Sequence, residues 1–394
     1  MKISRELIQV TGFRFGGVNI GLKNESLDFG GIVADSPCAG AAVFTKNNFP
    51  GAPVIVGREH VADGKLQAIV VNSKNANVAT GDAGIMASRN TCRWLGEELN
   101  ISPELILPSS TGVSGRSLDT TKIRTGCEIL AHQLGEEVEY SERFAKAIMT
   151  TDHHPKFAHV VLEDGTKILG FAKGAGMVEP NMATMLSYIV TDGDLQSNEL
   201  RTALQHAVNQ SFNRISIDTD TSTSDTVVLL SASHKKTDRK DFQIALNDLC
   251  CDLAKQIVQD GEGATKLIEL KISGAQNAES ALLFAKSVIN SPLVKTAIYG
   301  ADPNWGRFVM AIGKVFDFPI PLENVKICFG QGAKRVCLDA EHTEDLTLIE
   351  ALRPLLQAKE VFIEIELGMG TFAERVWGCD LSESYVAENA YYTT

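Results

Sequence analysis

The sequence has no CxxC pair among its eight cysteines, which are scattered as Cys38, Cys92, Cys127, Cys250, Cys251, Cys328, Cys337 and Cys379. A disulfide framework is not expected in a chain of this length without a secretory leader. Most of these thiols are expected as small buried apolar residues. There is also no dense Lys/Arg cluster with interleaved aromatics, and 49 acidic residues outnumber 37 basic ones for a net charge of -12. Nucleic acid is therefore excluded as an expected partner, because neutralising phosphates needs a basic surface. No run approaches the roughly 20 apolar residues that span a bilayer. The start, 1-MKISRELIQVTGF-13, mixes charges and has no apolar signal core. A cytoplasmic protein with no membrane partner is expected. His153 and His154 are neighbours whose side chains point apart on a helix or a strand, with no further ligands at metal spacing. Neither a metal nor a cofactor is expected.

What is present is ordinary globular material. The chain has 394 residues, 44% hydrophobic and 22% charged, enough for one large or two medium cores. Strand patterns occur at 66-LQAIVVNS-73, 185-MLSYIV-190, 226-TVVLLSAS-233, 266-KLIELKIS-273, 325-VKICFG-330 and 361-VFIEIELG-368. Helical periodicity puts Leu200, Leu204, Ala207 and Val208 on one face of 197–212. It aligns Leu246, Leu249, Leu253 and Ile257 in 242–261, with Gly261 as a stop signal. Further helices are expected over 276–289 and 345–357. The order does not alternate strictly as strand, helix, strand. An α/β (α+β) fold with sheets packed between helix layers is expected, not a doubly wound sheet. No internal repeat or low-complexity linker is visible. One weak compositional seam lies near 274-GAQNAE-279, and the polar run 218-DTDTSTSDT-226 reads as a shaped loop.

The stretch 173-KGAGMVEPNMATMLSYIVTD-192 carries the chemistry. Gly174-x-Gly176 is not a dinucleotide fingerprint, since the third position is Glu179, Pro180 follows, and a strand comes next. The fragment 261-GEGATK-266 lacks Gly-Lys-Ser/Thr and sits between a helix and a strand, the wrong order for a phosphate loop. Thr184 stands behind the small Ala183 at the mouth of an apolar strand. A threonine hydroxyl is a poor nucleophile until a base takes its proton. If the chain is cut just before it, its own α-amino group becomes that base, with an ordinary pKa near 7.7–8.0. The hydroxyl makes the cut by attacking the preceding carbonyl, and water releases the ester. Glycines and a holding strand suit such a site. Read alone, the segment is more readily a buried strand threonine after a glycine turn.

The same segment closely resembles the autoprocessing segment of the ornithine acetyltransferase (glutamate N-acetyltransferase) family of arginine biosynthesis. The resemblance extends in order through 72-NSKNANVATG-81, 109-SSTGVSGR-116, 147-AIMTTD-152, 216-SIDTDTSTSDT-226, 259-QDGEGATKL-267, 290-NSPLVKTAIYGADPNWGR-307 and 378-GCDLSESYVAENAYYTT-394, essentially the whole chain. It implies a helix-sheet-sheet-helix sandwich over about 1–280, of the N-terminal-nucleophile type, with a smaller C-terminal α/β domain over about 281–394. It implies cleavage between Ala183 and Thr184 into chains 1–183 and 184–394, assembling as α2β2. Thr184 would carry acetyl from N2-acetylornithine to glutamate in a ping-pong cycle, with acetyl-CoA as an additional donor in some members. The oxyanion donors would fall on Thr111 and Gly112. Substrate contacts would fall on Lys173, the pair Thr150 and Thr151 (Thr150 the better placed), Glu262, Asn389 and Thr394. Two positions depart from the pattern. His153 stands where a threonine is common. Glu179 precedes Pro180 where many arginine-pathway members carry a small or apolar residue, a feature shared with the branch attached to clavulanic-acid clusters.

Two rivals follow from other classes. An aminopeptidase or amidase on the same scaffold would let water resolve the acyl-enzyme. A non-catalytic interaction protein would keep the fold without the cut. The purified chain is expected to run as two fragments on a denaturing gel, and Thr184→Ala as one band at 42.6 kDa without activity. A Thr184→Ala chain that still splits would overturn the self-cleavage mechanism.

Overall fold

The computed structural model describes residues 2–179, 185–342 and 345–391. In chain order the strands and α-helices are β1 (Phe13–Val18), β2 (Phe29–Phe44), α1 (Ala52–His60), β3 (Lys65–Asn72), α2 (Gly81–Leu99), β4 (Ile106–Ser110), α3 (Thr120–Ala131), α4 (Val138–Ala147), β5 (Lys156–Val161), β6 (Lys167–Lys173) and β7 (Leu186–Gly193). There follow α5 (Ser197–Gln210), β8 (Ile215–Ser216), β9 (Thr226–Lys235), α6 (Arg239–Gln259), β10 (Leu267–Ala275), α7 (Ala278–Ile289), α8 (Pro292–Tyr299) and α9 (Trp305–Gly313). The last are β11 (Lys326–Phe329), β12 (Val336–Leu338), α10 (Leu346–Gln357), β13 (Glu360–Glu366), β14 (Phe372–Cys379) and α11 (Glu383–Tyr391). The chain forms two units, residues 1–213 with 220–257, and residues 214–219 with 258–394.

The first unit is organised by β2, a 16-residue strand that serves two sheet halves. Its first part pairs antiparallel with β1 and β3, and its last part, Ala39–Phe44, pairs antiparallel with β9. The register shifts between Val33 and Cys38, where the strand changes role. The order is β4-β3-β2-β9-β7-β6-β5, with β1 on the other edge of β2. Strand alternation sends Phe15, Ile32, Ile69 and Val71 from one half, and Phe171, Tyr188, Val190 and Val228 from the other, into one buried cluster. Their sequence neighbours Phe29, Val33, Ala68 and Val70 face outward onto Cys92 and Leu95 of α2 and Ile123 and Leu130 of α3. On the far side, α6 lays Leu249 and Leu253 against Gly170 of β6, and α5 packs on β2 and β9. Helix, sheet, sheet, helix is therefore the layering of this unit. Phe144 of α4 sits edge-on to Phe171 at 5.2 Å and to Tyr188 at 5.6 Å. Such pairs add about 0.5–1.5 kcal/mol each beyond their burial.

The second unit holds a six-stranded mixed sheet in the order β12-β11-β13-β10-β14-β8. Its core joins Ile268, Leu270 and Ile272 of β10 to Phe284 and Val288 of α7 and Phe308 of α9. The seam expected near 274–279 lies inside this unit. β10 is a central strand paired to both β13 and β14, and Asn277 caps α7 by accepting a hydrogen bond from the Ser280 amide at 2.8 Å. The polar residues there are a cap, not a linker. A second correction concerns cysteine. Cys328 and Cys337 stand directly opposite each other on antiparallel β11 and β12 with Cα atoms 4.0 Å apart, and they form a disulfide. Spacing in sequence did not disclose this, because strand register created the proximity. His153 and His154 lie in a bend with ring centroids 6.5 Å apart, not on the helix or strand that would point them away from each other. Among the described residues no group of three or more His, Cys, Asp or Glu is placed to hold a metal, and no single helix is long and apolar enough to cross a membrane.

Gly16 and Gly17 pair across the strands with Gly31 and Gly30; Leu130 of α3 lies over the Gly16–Gly31 pair, and α4 rests on the Gly17–Gly30 pair. A Cβ on Gly17 would lie 2.3 Å from the Arg143 carbonyl oxygen. Gly17→Ala is expected to cost about 1–3 kcal/mol, lowering the melting temperature by roughly 2–4 °C per kcal/mol. Gly313→Ala, where a Cβ meets nothing within 4 Å, is the control. Equal melting of both variants would refute the close-approach argument.

Candidate active site

The site in the first unit is built on the end of β4. Ser110 Oγ donates to Asn72 Oδ1 at 2.6 Å, and the Thr111 amide donates to the Asn72 carbonyl at 3.0 Å. The Val113 amide donates to the Lys74 carbonyl at 3.1 Å. Between them the Gly112 amide makes no hydrogen bond among the described residues. Gly112 has φ +126°, and a Cβ there would lie 2.3 Å from the Lys74 carbonyl carbon. Only glycine fits this turn. The facing segment carries Lys74, Asn77 and Ala79 at positive φ, three non-glycine residues in a costly conformation.

Lys173 ends β6, and its register places it opposite Leu186 at the start of β7. Its ammonium is buried, donating to Thr150 Oγ1 at 2.7 Å and Thr111 Oγ1 at 3.2 Å. Because Thr111 Oγ1 accepts from Lys173, its own hydrogen is left to donate elsewhere. The counter-charge is Asp152, whose side chain is 0% exposed. Asp152 Oδ1 accepts from Lys156 Nζ at 2.6 Å and from the Gly174 amide at 2.7 Å, and Oδ2 accepts from the Thr150 amide at 2.9 Å. Oδ2 also lies 4.0 Å from Lys173 Nζ. Burial pushes this carboxyl up, but Lys156 and Lys173 together with the hydrogen bonds outweigh it and hold it well below the usual carboxylate range. Lys23 joins the cluster, donating to the Met149 carbonyl at 2.7 Å and the Leu27 carbonyl at 3.0 Å. Burial lowers its pKa to about 8, with Asp28 opposing and Lys173 assisting.

The described part of the segment after Lys173 is pinned. Ala175 and Val178 are buried, the Glu179 amide donates to the Asp220 carbonyl at 3.1 Å, and Thr221 Oγ1 donates to the Glu179 carbonyl at 3.3 Å. The run 218–226 is a shaped loop in its first-unit part. The Gly51 amide donates to the Thr223 carbonyl at 2.8 Å, and Thr45 Oγ1 to the Ser222 carbonyl at 2.6 Å.

The structure thus brings together Thr111, Gly112, Thr150 and Lys173, and of the threonine pair it is Thr150, not the half-buried Thr151, that Lys173 reaches. In the second unit, Asn389 Nδ2 donates to Glu262 Oε2 at 2.9 Å, joining two further expected substrate contacts. Ala183, Thr184 and Thr394 lie outside the described residues. Sequence reasoning gave no role to Asp152, Lys156, Lys23 or Asp225. Asp152 closes the hydroxyl-rich block 147-AIMTTD-152, and Asp225 is the penultimate residue of 216-SIDTDTSTSDT-226, and that was the available signal.

Asp152 has a depressed native pKa, so its stabilisation is full above its unfolded pKa of about 3.9 and is lost as pH falls towards the native value. Lys156→Met removes the closer cation and is expected to cost about 3–5 kcal/mol at neutral pH. The variant should also unfold at a higher pH in acid titration, followed by circular dichroism. An unchanged melting temperature would show that Lys156 does not hold the site.

The model of the ArgJ family matches residues 14–394. Arginine biosynthesis bifunctional protein ArgJ 2 of Clostridium acetobutylicum is 46% identical over 386 residues, 97% of each chain. Glutamate N-acetyltransferase of Methanosarcina mazei is 40% identical over 384 residues, 95% of this chain and 96% of that one. Among solved structures, the ornithine acetyltransferase of Mycobacterium tuberculosis complexed with ornithine is 30% identical, with 45% of this chain and 97% of that chain aligned and a TM-score of 0.44.

Proposed function

The chain belongs to the ArgJ family, and from that premise we propose that it moves acetyl from N2-acetylornithine to glutamate through Thr184. It is an acetyltransferase of arginine biosynthesis. The observation that supports the site reading best is the buried Lys173 ammonium joined to both Thr111 and Thr150.

The steps follow from the groups in place. Thr184 Oγ first attacks the Ala183 carbonyl, the C–N bond breaks as the peptide becomes an ester and so frees the Thr184 amine, and water then hydrolyses the ester to free the hydroxyl. That amine then takes the hydroxyl proton as Oγ attacks the acetyl carbonyl of the donor. Negative charge develops on the carbonyl oxygen. The Thr111 hydroxyl and the Gly112 amide meet it, the first with its hydrogen freed by Lys173, the second on a backbone that needs no reorganisation. The leaving amine of ornithine collects the proton. Glutamate's amine then attacks the acetyl-threonine ester by the reverse sequence.

Asp152 keeps the positive end of this apparatus from drifting, since it ties Lys156, the Gly174 amide and the Thr150 amide to one carboxylate. Glu262, oriented by Asn389, takes the cationic amine of ornithine, and Thr394 completes the substrate contacts. Acetyl-CoA serves as a second donor, no cofactor takes part, and the cut chains assemble as α2β2 in the cytoplasm.

Incubation with N2-acetylornithine alone is expected to leave one acetyl group on the C-terminal fragment, seen by mass spectrometry. Adding glutamate should discharge it as N-acetylglutamate. Dominant release of acetate would defeat transfer in favour of hydrolysis. Thr111→Val is expected to lower kcat by about 10²–10³-fold, the usual loss of one oxyanion donor. Glutamate acetylation with acetyl-CoA as sole donor tests the second donor, and its absence would limit the enzyme to recycling.

A further inference from the structure

The loop between β1 and β2 folds around Asp28, a fully buried acid. Its Oδ1 accepts from the Ile20 amide at 2.8 Å and its Oδ2 from the Lys23 amide at 2.7 Å. Asn19 closes the same loop, donating from Nδ2 to the Lys23 carbonyl at 3.2 Å and accepting the Gly21 amide hydrogen on Oδ1 at 3.0 Å. Lys122 of α3 donates to the Gly21 carbonyl at 2.7 Å. The backbone at Lys23 is thereby fixed, and its ammonium joins two segments. It meets the Leu27 carbonyl at 3.0 Å and, 126 residues further along the chain, the Met149 carbonyl at 2.7 Å.

Met149 is the residue before Thr150. α4 ends at Ala147, and the last carbonyls of a helix have no partner within it. Ser73 Oγ donates to the Ala147 carbonyl at 2.8 Å, and Lys23 serves Met149. Ser73 is itself tied to Asp28, whose carbonyl accepts the Ser73 amide hydrogen at 2.9 Å. The peptide unit joining Met149 to Thr150 is gripped on both edges. Its oxygen is held by Lys23 at 2.7 Å, and its nitrogen by Asp152 Oδ2 at 2.9 Å.

We propose that Lys23 is a positioning residue for Thr150, setting the plane of the peptide that enters it and so the direction of its hydroxyl. A peptide unit is planar, so a grip on both edges fixes how it is turned. Threonine is stiff at χ1, so Oγ1 follows the backbone. That hydroxyl is the one Lys173 reaches at 2.7 Å. With the Met149 carbonyl released, the plane would be held at the Asp152 edge alone and would turn about it. Lysine suits the task. Its ammonium carries donors and no acceptor, and the two groups it meets are carbonyls. A cation at the C-terminal end of a helix is also favoured by the helix dipole. The proposal rests on the reading of Thr150 as a substrate contact and adds to it a residue that acts through it.

The test is a double-mutant cycle of Lys23→Met and Thr150→Val in the full chain. It reads kcat and KM for N2-acetylornithine with glutamate as acceptor, with thermal melts alongside. Thr150→Val is expected to raise KM about tenfold with kcat little changed, as when one hydrogen bond shared by ground and transition states is removed. Lys23→Met is expected to raise KM in the same way. The double variant should match Thr150→Val within about twofold, since nothing is left for Lys23 to position. A KM rise in the double variant equal to the product of the two single rises would overturn the proposal. So would a Lys23→Met enzyme that melts lower and loses kcat but keeps the parental KM, the mark of a merely structural role. Should Lys23→Met fail to fold, Lys23→Gln replaces it in the cycle. Its side chain is one bond shorter, too short to serve both carbonyls, so a parental KM there also counts against the proposal. The single variants separate the two ideas. A parental KM for Thr150→Val removes the Thr150 contact and the task of Lys23 with it, whereas multiplied effects leave the contact standing and remove Lys23 alone.

Discussion

The site in the first unit depends on one buried carboxylate. Asp152 takes hydrogen bonds from an ammonium and two backbone amides, and a second ammonium stands 4.0 Å from it. Each partner does a different job. Lys156 opens β5, the Gly174 amide sets the direction of the chain as it leaves β6, and the Thr150 amide closes the turn after α4. An uncompensated charge in this position would be strongly destabilising, so the partners cannot drift without cost. Lys173 is thereby held where its ammonium meets two hydroxyls, and Thr111 keeps its own hydrogen for another acceptor.

The layering explains why the residues that matter come from distant stretches. β2 belongs to both halves of the sheet, so β4 with Thr111 at its end and β6 with Lys173 at its end serve one interior. The Gly17–Gly30 pair on β1 and β2 lets α4 descend onto the strands, which places the turn carrying Thr150 and Asp152. A bulkier residue at Gly17 would lift that helix. The two acids treat burial in opposite ways. Asp152 is compensated by cations and stays ionised, while Asp225 meets one amide and a more distant ammonium and is driven towards its neutral form. Pairs of carboxyls whose surroundings push them apart are a recurring basis for acid–base chemistry.

Much of the fold was legible where periodicity was strong. The six strands expected at 66–73, 185–190, 226–233, 266–273, 325–330 and 361–368 coincide with β3, β7, β9, β10, β11 and β13, and the four expected helices with α5, α6, α7 and α10. The elements that escaped have weak local patterns. β2 reads FGGIVADSPCAGAAVF, with glycines, a proline and a change of partner in its middle, so no single alternation runs through it. α2 contains Gly81, Gly84 and Gly96, which blur an amphipathic stripe that tertiary packing nevertheless selects. Lys156, Lys173, Asp152 and Asp225 all read as surface charge in one dimension, because burial of a charge is decided by partners that are distant in sequence.

The sequence by itself determined the family, the acetyl-transfer chemistry that comes with it, and the residue types of the site, since long blocks in order carry that information. Tertiary structure alone decided that Lys173 orients the Thr111 and Thr150 hydroxyls while Asp152 balances it. It decided that Cys328 pairs with Cys337, and that the boundary between units lies near residue 258 and not at the polar seam after β10. The reason is the same in each case. Hydrogen bonds of about 3 Å and strand registers are set by the meeting of segments tens to hundreds of residues apart, and no local pattern encodes where those segments meet.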